Sequence, residues 1–461
     1  MKFIWGLITF SSFSPEIWLK ASFYYRIVGL FRNWRQSSFL LRWGKTIGAL
    51  LISLILMFSP FVTTGVIGIW LISIAMYWII LIVSEREQPV FNSIHLLVFL
   101  YWVISAIAVI FSPVRDAAFS GFIKLTLYLI FFACTSHILR SPILTNWLIL
   151  STLGSGLLVG IYGVRQRLFG VEQLATWNDP TAYFSNSIRV YSYLGNPNLL
   201  SAYILPSIAL SMAAFFVWQK TLPKLLALTI LLINTFCLYF TGSRSGWIAL
   251  IICLVIFSLL LFTWFKDELP LFWRQWLLPI TFGTLISFIF VLIASNDILQ
   301  SRIMSIFIGR ADSSNNFRIN VWTSVVNMIK DYPFLGIGPG NDAFSKIYPL
   351  YMSPKYSALS AYSVFLETAV EMGLVGLSIF IWLIFTIINQ GIQKINKLKN
   401  DKNSHGIWII AAVAAIVGLL MQGLFDTVWY RPQVNTLWWF LVALIASQHK
   451  SKSKEKINIH S

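Results

Sequence analysis

The feature that most constrains the fold of this chain is a series of apolar segments that are each long enough to cross a lipid bilayer. A membrane-spanning helix needs about 20 apolar residues, and such runs recur between residues 46 and 447. Their hydrophobicity is continuous rather than alternating, which favours helices over a β-barrel. Only 11% of all residues are charged, whereas soluble domains average about 25%. The sequence therefore predicts an all-α, polytopic integral membrane protein.

Twelve segments qualify as membrane spans, and breaks at proline, glycine and polar residues separate them. The predicted spans are 46–62, 64–83, 93–112, 119–138, 146–164, 199–218, 225–241, 246–264, 277–295, 373–392, 407–425 and 434–447. All three cysteines (Cys134, Cys237 and Cys253) fall inside these runs, so we expect small buried side chains. There is no CxxC pattern, and no metal or other cofactor is predicted.

The distribution of lysine and arginine predicts how the chain is oriented. Basic residues are concentrated at 1–45, 394–402 and 450–456, and segments that flank spans and carry such an excess stay in the cytoplasm. Twelve spans then place both termini on the cytoplasmic side of a bacterial plasma membrane and leave 165–198 and 296–372 outside. This topology also accounts for the net charge of +17. Membrane lipids are therefore expected partners, and nucleic acid is not.

These assignments divide the chain into five consecutive parts. They are a basic, aromatic-rich cytoplasmic or interfacial segment (1–45), spans 1–9 (46–295), an external loop (296–372), spans 10–12 (373–447) and a basic cytoplasmic tail (448–461).

The external loop 296–372 contains an apolar pattern with helical spacing. The pattern consists of Ile319, Trp322, Val325, Val326 and Ile329. It predicts an amphipathic helix on the outer membrane surface, which begins at Arg318 and ends at Tyr332-Pro333.

A second helix is predicted from about Leu359 into the span that starts at Gly373. Glu367 and Glu371 are four residues apart on this helix and share one face. A solvated helix face and a role in a site are both compatible with these two acids. The glycine-rich stretch 336–340 lacks the Gly-Lys-Ser/Thr ending of a phosphate-binding loop, so it is interpreted as a sharp turn.

Two short polar motifs lie next to spans on the predicted external side. Gly195-Asn196-Pro197-Asn198 has the composition of a helix start, where an asparagine caps free N–H groups. Arg244 lies in a tight hairpin between two apolar runs. Because an arginine in hydrocarbon costs several kcal/mol, it must lie at the interface or be paired. An interfacial anchor and an anion-binding residue both remain open, since a guanidinium binds phosphate and carboxylate well.

The positions of the histidines bear on which catalytic groups the external side can offer. All five histidines fall at or near the predicted cytoplasmic side, and the external loops have none. A histidine general base or metal ligand at the outer face is therefore not expected.

The order of several motifs resembles the O-antigen ligase and polymerase superfamily of membrane proteins. The motifs are GNPN at 195–198, TGSRSG at 241–246, FRINVW at 317–322, YPFLGIGPGNDAF at 332–344 and YSVFLETAVEMGLVGL at 362–377. The resemblance implies transfer of a lipid-pyrophosphate-linked glycan to an acceptor on the periplasmic face. It places the functional arginines of the family on Arg244 and Arg318 and its functional histidine on Tyr362.

A second resemblance covers nearly the whole chain. The runs SAYSVFLE at 360–367 and FDTVWYRPQVNTLWWF at 425–440 resemble a cyanobacterial branch labelled as inorganic carbon (bicarbonate) transporters. Our first hypothesis is therefore inorganic carbon transport, with bicarbonate as the small anion bound by Arg244 and Arg318. The alternative is a glycosyltransferase-type ligase or polymerase that acts on a lipid-pyrophosphate-linked glycan. Glu367 would then replace the histidine, so Glu367 and Tyr362 are the catalytic candidates.

Overall fold

The computed structural model describes residues 28–85, 91–172, 189–295, 300, 303–304 and 309–447. Most of the predicted N-terminal segment 1–45, much of the predicted loop 165–198 and the basic tail 448–461 lie outside these described residues.

The described chain is built from α-helices joined by short turns and 3-10 segments. In chain order the helices are α1 (Arg32–Ser37), α2 (Phe39–Arg42), α3 (Gly44–Phe58), α4 (Thr64–Ser84), α5 (Ser93–Phe111), α6 (Arg115–Ile138), α7 (Pro142–Phe169), α8 (Pro197–Val217), α9 (Thr221–Phe240), α10 (Arg244–Phe265), α11 (Leu271–Ala294), α12 (Ser313–Asp331), α13 (Asn341–Ile347), α14 (Val364–Asn400), α15 (His405–Gly423) and α16 (Pro432–Ala446).

The helices confirm the predicted fold class. Among the described residues, ten helices (α3 to α10, α14 and α15) are long and apolar enough to cross a membrane. The other two predicted spans, 277–295 and 434–447, fall on α11 and on the shorter apolar helix α16. The protein is therefore a polytopic α-helical membrane protein. The side on which its termini lie stays a prediction.

Helices α8, α15 and α16 form the centre of the bundle, because their side chains are buried on nearly all sides. By contrast, most described side chains of α11 are exposed. A helix that is apolar all round is suited either to the core of a bundle or to lipid. The central position of α8 and α15 matters for the site described below, because the first residues of α8 and the residues after α15 both contribute to it.

Lys124 lies within a candidate membrane span, as predicted, and is paired there. Helix α6 begins at Arg115, four residues before the predicted span 119–138, so Lys124 lies in its third turn. Its Nζ binds Asp342 Oδ2 of α13 at 2.9 Å, and both side chains are more than half exposed. The ion pair therefore links this end of α6 to the segment that was predicted to be external.

The segment between α11 and α14 has a hydrophobic core of its own. The side chains of α12 meet those of α13 and of the glycine-rich loop there. The buried members are Val321, Val325, Met328, Ile337, Phe344, Ile347, Tyr348, Ala361 and Val370. This core explains why α12 is held in one place although its sequence is polar at both ends.

The predicted start and apolar face of α12 are both partly wrong. The helix ends at Asp331 as expected, but it begins at Ser313 rather than Arg318, because the Asp312 carboxylate caps it by accepting a hydrogen bond from the Asn315 N–H at 2.9 Å. Its buried face contains Val325 as predicted, whereas Val326 is 41% exposed. The apolar side chains pack on the core of their own segment, which shifts the buried face toward Val321.

The second predicted helix begins later than expected. Helix α14 starts at Val364, not near Leu359, because Tyr362 has a φ of +51°, which a helix cannot contain. The predicted boundary at Gly373 is a kink inside α14, where φ is +67° and ψ is −174°. A Cβ at Gly373 would lie 2.1 Å from the Phe334 carbonyl. Only glycine allows both this conformation and this approach.

Candidate functional site

Arg244 is the first residue of α10 and is paired with the acid that caps α12. The hairpin from α9 is closed by Ser243, whose hydroxyl caps α10 by accepting from the Gly246 N–H at 3.2 Å. Arg244 Nη2 lies 3.0 Å from Asp312 Oδ1, and the two side chains are 14% and 20% exposed. Arg244 is therefore paired, and both roles left open by the sequence, an interfacial anchor and an anion-binding residue, are compatible with this contact.

Arg318 lies on α12, and the hydrogen bonds described for it go to neutral acceptors. Its Nε donates to the Phe425 carbonyl at 2.9 Å, and its Nη1 donates to Ser314 Oγ at 2.8 Å. Burial lowers the pKa of the Arg318 guanidinium, the charge of Asp426 opposes this effect, and the charge of Arg244 adds to it. An arginine stays protonated in proteins. The two arginines predicted from the sequence are therefore near enough for the charge of Arg244 to act on Arg318.

Asp426 follows α15 and is held by a chain of polar contacts from the start of α8. Asn198 Nδ2 donates to Asp426 Oδ2 at 2.7 Å. Arg189 Nη2 donates to Asn198 Oδ1 at 3.2 Å, and Arg189 Nε donates to the Thr241 carbonyl at 2.9 Å. Burial raises the pKa of the Asp426 carboxyl, although Arg318, Asn198 and Arg189 favour its ionised form.

The Asn196 side chain caps α8 as the sequence predicted, by accepting from the N–H groups of Asn198 and Leu199. Asn198 does more than the capping interpretation suggested, because it links an arginine to an aspartate.

These residues form what we call the arginine cluster: Arg189, Arg244, Arg318, Asp312 and Asp426. Three guanidinium groups face two carboxylates there. The cluster therefore has an excess of positive charge when all of its groups are ionised. Arg189 and Asp426 were missed at the sequence level because each lies far along the chain from the motifs that carry Arg244 and Arg318.

Tyr362 lies beside this cluster and is unsuited to accept a proton. Its ring packs edge to face on Phe317, with 5.3 Å between the ring centroids. Burial and the charge of Asp426 raise the pKa of Tyr362 to about 12, whereas Arg318 acts in the opposite direction. A histidine at this position would titrate at about 6.5. The tyrosine hydroxyl stays protonated at neutral pH, so it can donate a hydrogen bond to an anion.

Glu367, the other catalytic candidate, is buried in the first turn of α14 and is turned toward two loops. Its Oε2 accepts from the Ala361 N–H at 2.5 Å and from Thr427 Oγ1 at 3.4 Å. Ala361 precedes Tyr362, and Thr427 follows Asp426. The geometry makes Glu367 a positioning residue that fastens both loops, and it is only 6% exposed.

Glu371 accepts from the Gly340 N–H at 2.7 Å. The glycine-rich stretch 336–340 is thus a tight turn packed on α14, as the sequence indicated, and a solvated face for the two acids is excluded.

The described residues of this region offer no set of metal ligands. Within the described ranges, no group of three or more histidine, cysteine, aspartate or glutamate side chains is placed to hold a metal ion. His95 at the start of α5, His137 at the end of α6 and His405 at the start of α15 lie at the end of the helices that is opposite the arginine cluster.

Together, the helical bundle and the segment between α11 and α14 define a polytopic membrane protein with a partly buried cluster of arginines at one end of its helices. A family model described as O-antigen ligase matches residues 227–381, about a third of the chain. The matched range contains Arg244, Arg318, Tyr362 and Glu367, while Arg189 and Asp426 lie outside it. The match supports an O-antigen-ligase-like core in a membrane protein of that superfamily. A search of curated proteins found no match.

Proposed function

We propose that the arginine cluster binds the diphosphate group of a lipid-linked glycan, and that the chain is a glycan-handling relative of the O-antigen ligases. The observation that carries this proposal is the environment of Arg318. The residue is partly buried beside Asp426 and Arg244, and its hydrogen bonds within the described chain go to the neutral Phe425 carbonyl and Ser314 hydroxyl. These bonds use only some of the N–H donors of the Arg318 guanidinium. The remaining donors can therefore bind an oxyanion.

The location of the cluster also favours a lipid-linked anion. It lies where α8 and α10 begin and where α9 and α15 end, at the level of the bundle at which the head groups of lipids are found. A diphosphate carries several oxygen atoms and more than one charge. It can therefore engage Arg318 and Arg244 at the same time, while Tyr362 donates from its protonated hydroxyl.

A second candidate function is transport of bicarbonate, which is a smaller oxyanion. Tyr362 favours it, because a phenol with a pKa of about 12 cannot replace a histidine as general base, which is typically worth about 10²–10⁴-fold in rate. The pairing of Lys124 argues against it. Transporters place charged groups near the bilayer midplane, but Lys124, in the third turn of α6, is paired with Asp342 of the segment that was predicted to be external.

Binding measurements on the purified full-length protein separate the two candidates. We expect a polyprenyl diphosphate to bind, the corresponding monophosphate to bind more weakly, and bicarbonate not to compete at millimolar concentration. Competition by bicarbonate, together with bicarbonate uptake into proteoliposomes, would replace the first proposal with the second. Glycan transfer is assayed in the same preparation with a lipid-linked oligosaccharide and a lipid acceptor.

A further inference from the structure

A cavity of about 300 Å³ opens at the same end of the helices as the arginine cluster but is lined by different residues. One wall is the turn between α3 and α4, the second is the 3-10 segment before α8, and the third is the start of α16. Its lining residues are Pro60, Val62, Thr63, Thr64, Tyr193, Leu194, Leu199, Arg431 and Gln433. Cavities of this size are at the small end of those that hold organic ligands.

Gln433 is the strongest indication that the cavity receives a ligand. The residue is only 8% exposed, and within the described part of the chain its Oε1 has no hydrogen-bond partner. An unsatisfied buried acceptor costs about 1–3 kcal/mol, so native proteins rarely leave one without a donor. A ligand hydroxyl would supply that donor, and the threonine hydroxyls of the α3–α4 turn line the same space.

Arg431 supplies the positive charge of the cavity. Its side chain is exposed, and its guanidinium carbon lies 5.2 Å from the centroid of the neighbouring Tyr430 ring. No carboxylate of the described chain forms an ion pair with it. Arginine in such a position binds phosphate or carboxylate through two parallel hydrogen bonds.

Tyr193 provides an aromatic wall that is held in a fixed orientation. Its ring stacks on Tyr162 with 4.3 Å between centroids and meets the edge of Phe61 at 4.8 Å. The ring is still 47% exposed, so part of its surface is available to a ligand. Aromatic rings pack well against the carbon skeleton of a ligand whose polar groups point elsewhere.

We propose that this cavity binds a small anion that carries hydroxyl groups next to its charge, such as a phosphoglycerol group. Arg431 holds the anionic group, Gln433 accepts from a hydroxyl, and Tyr193 packs against the carbon atoms between them. The site is separate from the arginine cluster, and it would stand even if the proposed function failed. The same phosphoglycerol chemistry can come from a soluble molecule or from a lipid head group.

The test measures binding to the purified full-length protein in detergent, with four probes. They are glycerol 3-phosphate, short-chain phosphatidylglycerol, short-chain phosphatidylcholine and inorganic phosphate. We expect the first two to bind more tightly than the last two. Equal binding of the first two means that the head group alone is recognised, and binding of phosphatidylglycerol alone identifies a lipid site. Both results support the proposal. Equal affinity for all four probes would overturn it, because hydroxyl recognition would then be absent.

Two substitutions and a matched control locate the binding. Arg431→Gln should weaken glycerol phosphate or phosphatidylglycerol binding by about tenfold or more, which corresponds to one charge-assisted hydrogen bond. Gln433→Glu keeps the shape of the buried side chain and should weaken binding by repelling the anion. Arg115→Gln removes an exposed arginine at the start of α6, on the same end of the bundle, and should leave binding unchanged. Melting temperature and elution volume verify that each variant is folded. Wild-type binding by both folded cavity variants would refute the assignment.

Discussion

Replacing Arg318 with lysine separates the geometry of this side chain from its charge. In the wild type, Nε donates to the Phe425 carbonyl and Nη1 donates to the Ser314 hydroxyl, which leaves further N–H donors of the guanidinium for an anion. A lysine ammonium keeps the charge but cannot hold these protein acceptors and a two-pronged oxyanion together. The loss of one or two charge-assisted hydrogen bonds, at about 1.5–3 kcal/mol each, should weaken diphosphate binding by about 10- to 10⁴-fold.

The assay is titration of purified Arg318→Lys protein with a polyprenyl diphosphate, beside wild type and Arg310→Lys. Arg310 is exposed in the same segment, with its Nη1 3.5 Å from Asn316 Oδ1, so its replacement should change binding less than twofold. Unfolding is measured for each variant, because the contact to Phe425 also contributes to stability. If folded Arg318→Lys protein binds the diphosphate as tightly as wild type, the guanidinium fork has no role in anion binding.

Three further predictions follow from neighbouring groups. Glu367→Ala leaves the buried Ala361 N–H without its acceptor, so it should destabilise the protein by about 1–3 kcal/mol. Glu367→Gln keeps an acceptor and should retain most of any glycan-transfer activity. A Glu367→Gln protein that is stable but inactive in glycan transfer would support a catalytic role for this residue. Burial raises the pKa of the Asp426 carboxyl, so lowering the pH toward that pKa neutralises a competitor for Arg318 and should tighten diphosphate binding. The Asp426→Asn protein should bind the diphosphate more tightly than wild type at neutral pH, and the difference in affinity should shrink as the pH falls. A difference in affinity that grows on acidification would contradict this role of Asp426. In intact cells, a single cysteine at Ser357 should react with an impermeant thiol reagent, and one at Ser404 should not; the reverse pattern would invert the predicted topology.

The spans were predictable from sequence because the bilayer imposes a length and a composition on each of them. Every predicted span overlaps a helix, although several helices extend well beyond the hydrophobic signal. The predicted span 146–164, for example, lies within the 28-residue helix α7. Polar residues can continue a helix beyond the hydrocarbon region, so hydropathy alone does not show where a helix begins or ends.

Helix α12 shows a second limit, which is that apolar spacing alone does not predict where a helix begins. Apolar spacing starts at Ile319, so the prediction began the helix at Arg318. The actual first turn consists of polar residues and is fixed by the side chain of Asp312. The same aspartate also binds Arg244, so one residue both caps the helix and completes the cluster.

The arginine cluster itself was only half predictable. Arg244 and Arg318 stand in recognisable motifs, and the structure pairs Arg244 with Asp312 and brings Arg318 near Asp426. By contrast, the link from Arg189 through Asn198 to Asp426 joins residues more than 200 positions apart. No local spacing encodes such a contact, which arises because the start of α8 and the end of α15 meet in the bundle. The contacts of Glu367 were unpredictable for a related reason, since the donors that it binds are loop groups that only the fold brings to it.

The measurement that tests the central claim most directly is a cryo-EM map of the full-length protein with a polyprenyl diphosphate bound. We predict density for the diphosphate within hydrogen-bonding distance of Arg318 and Arg244, with the polyprenyl chain leading away between the helices. Density for the diphosphate at another place, with Asp426 paired directly to Arg318, would contradict the account.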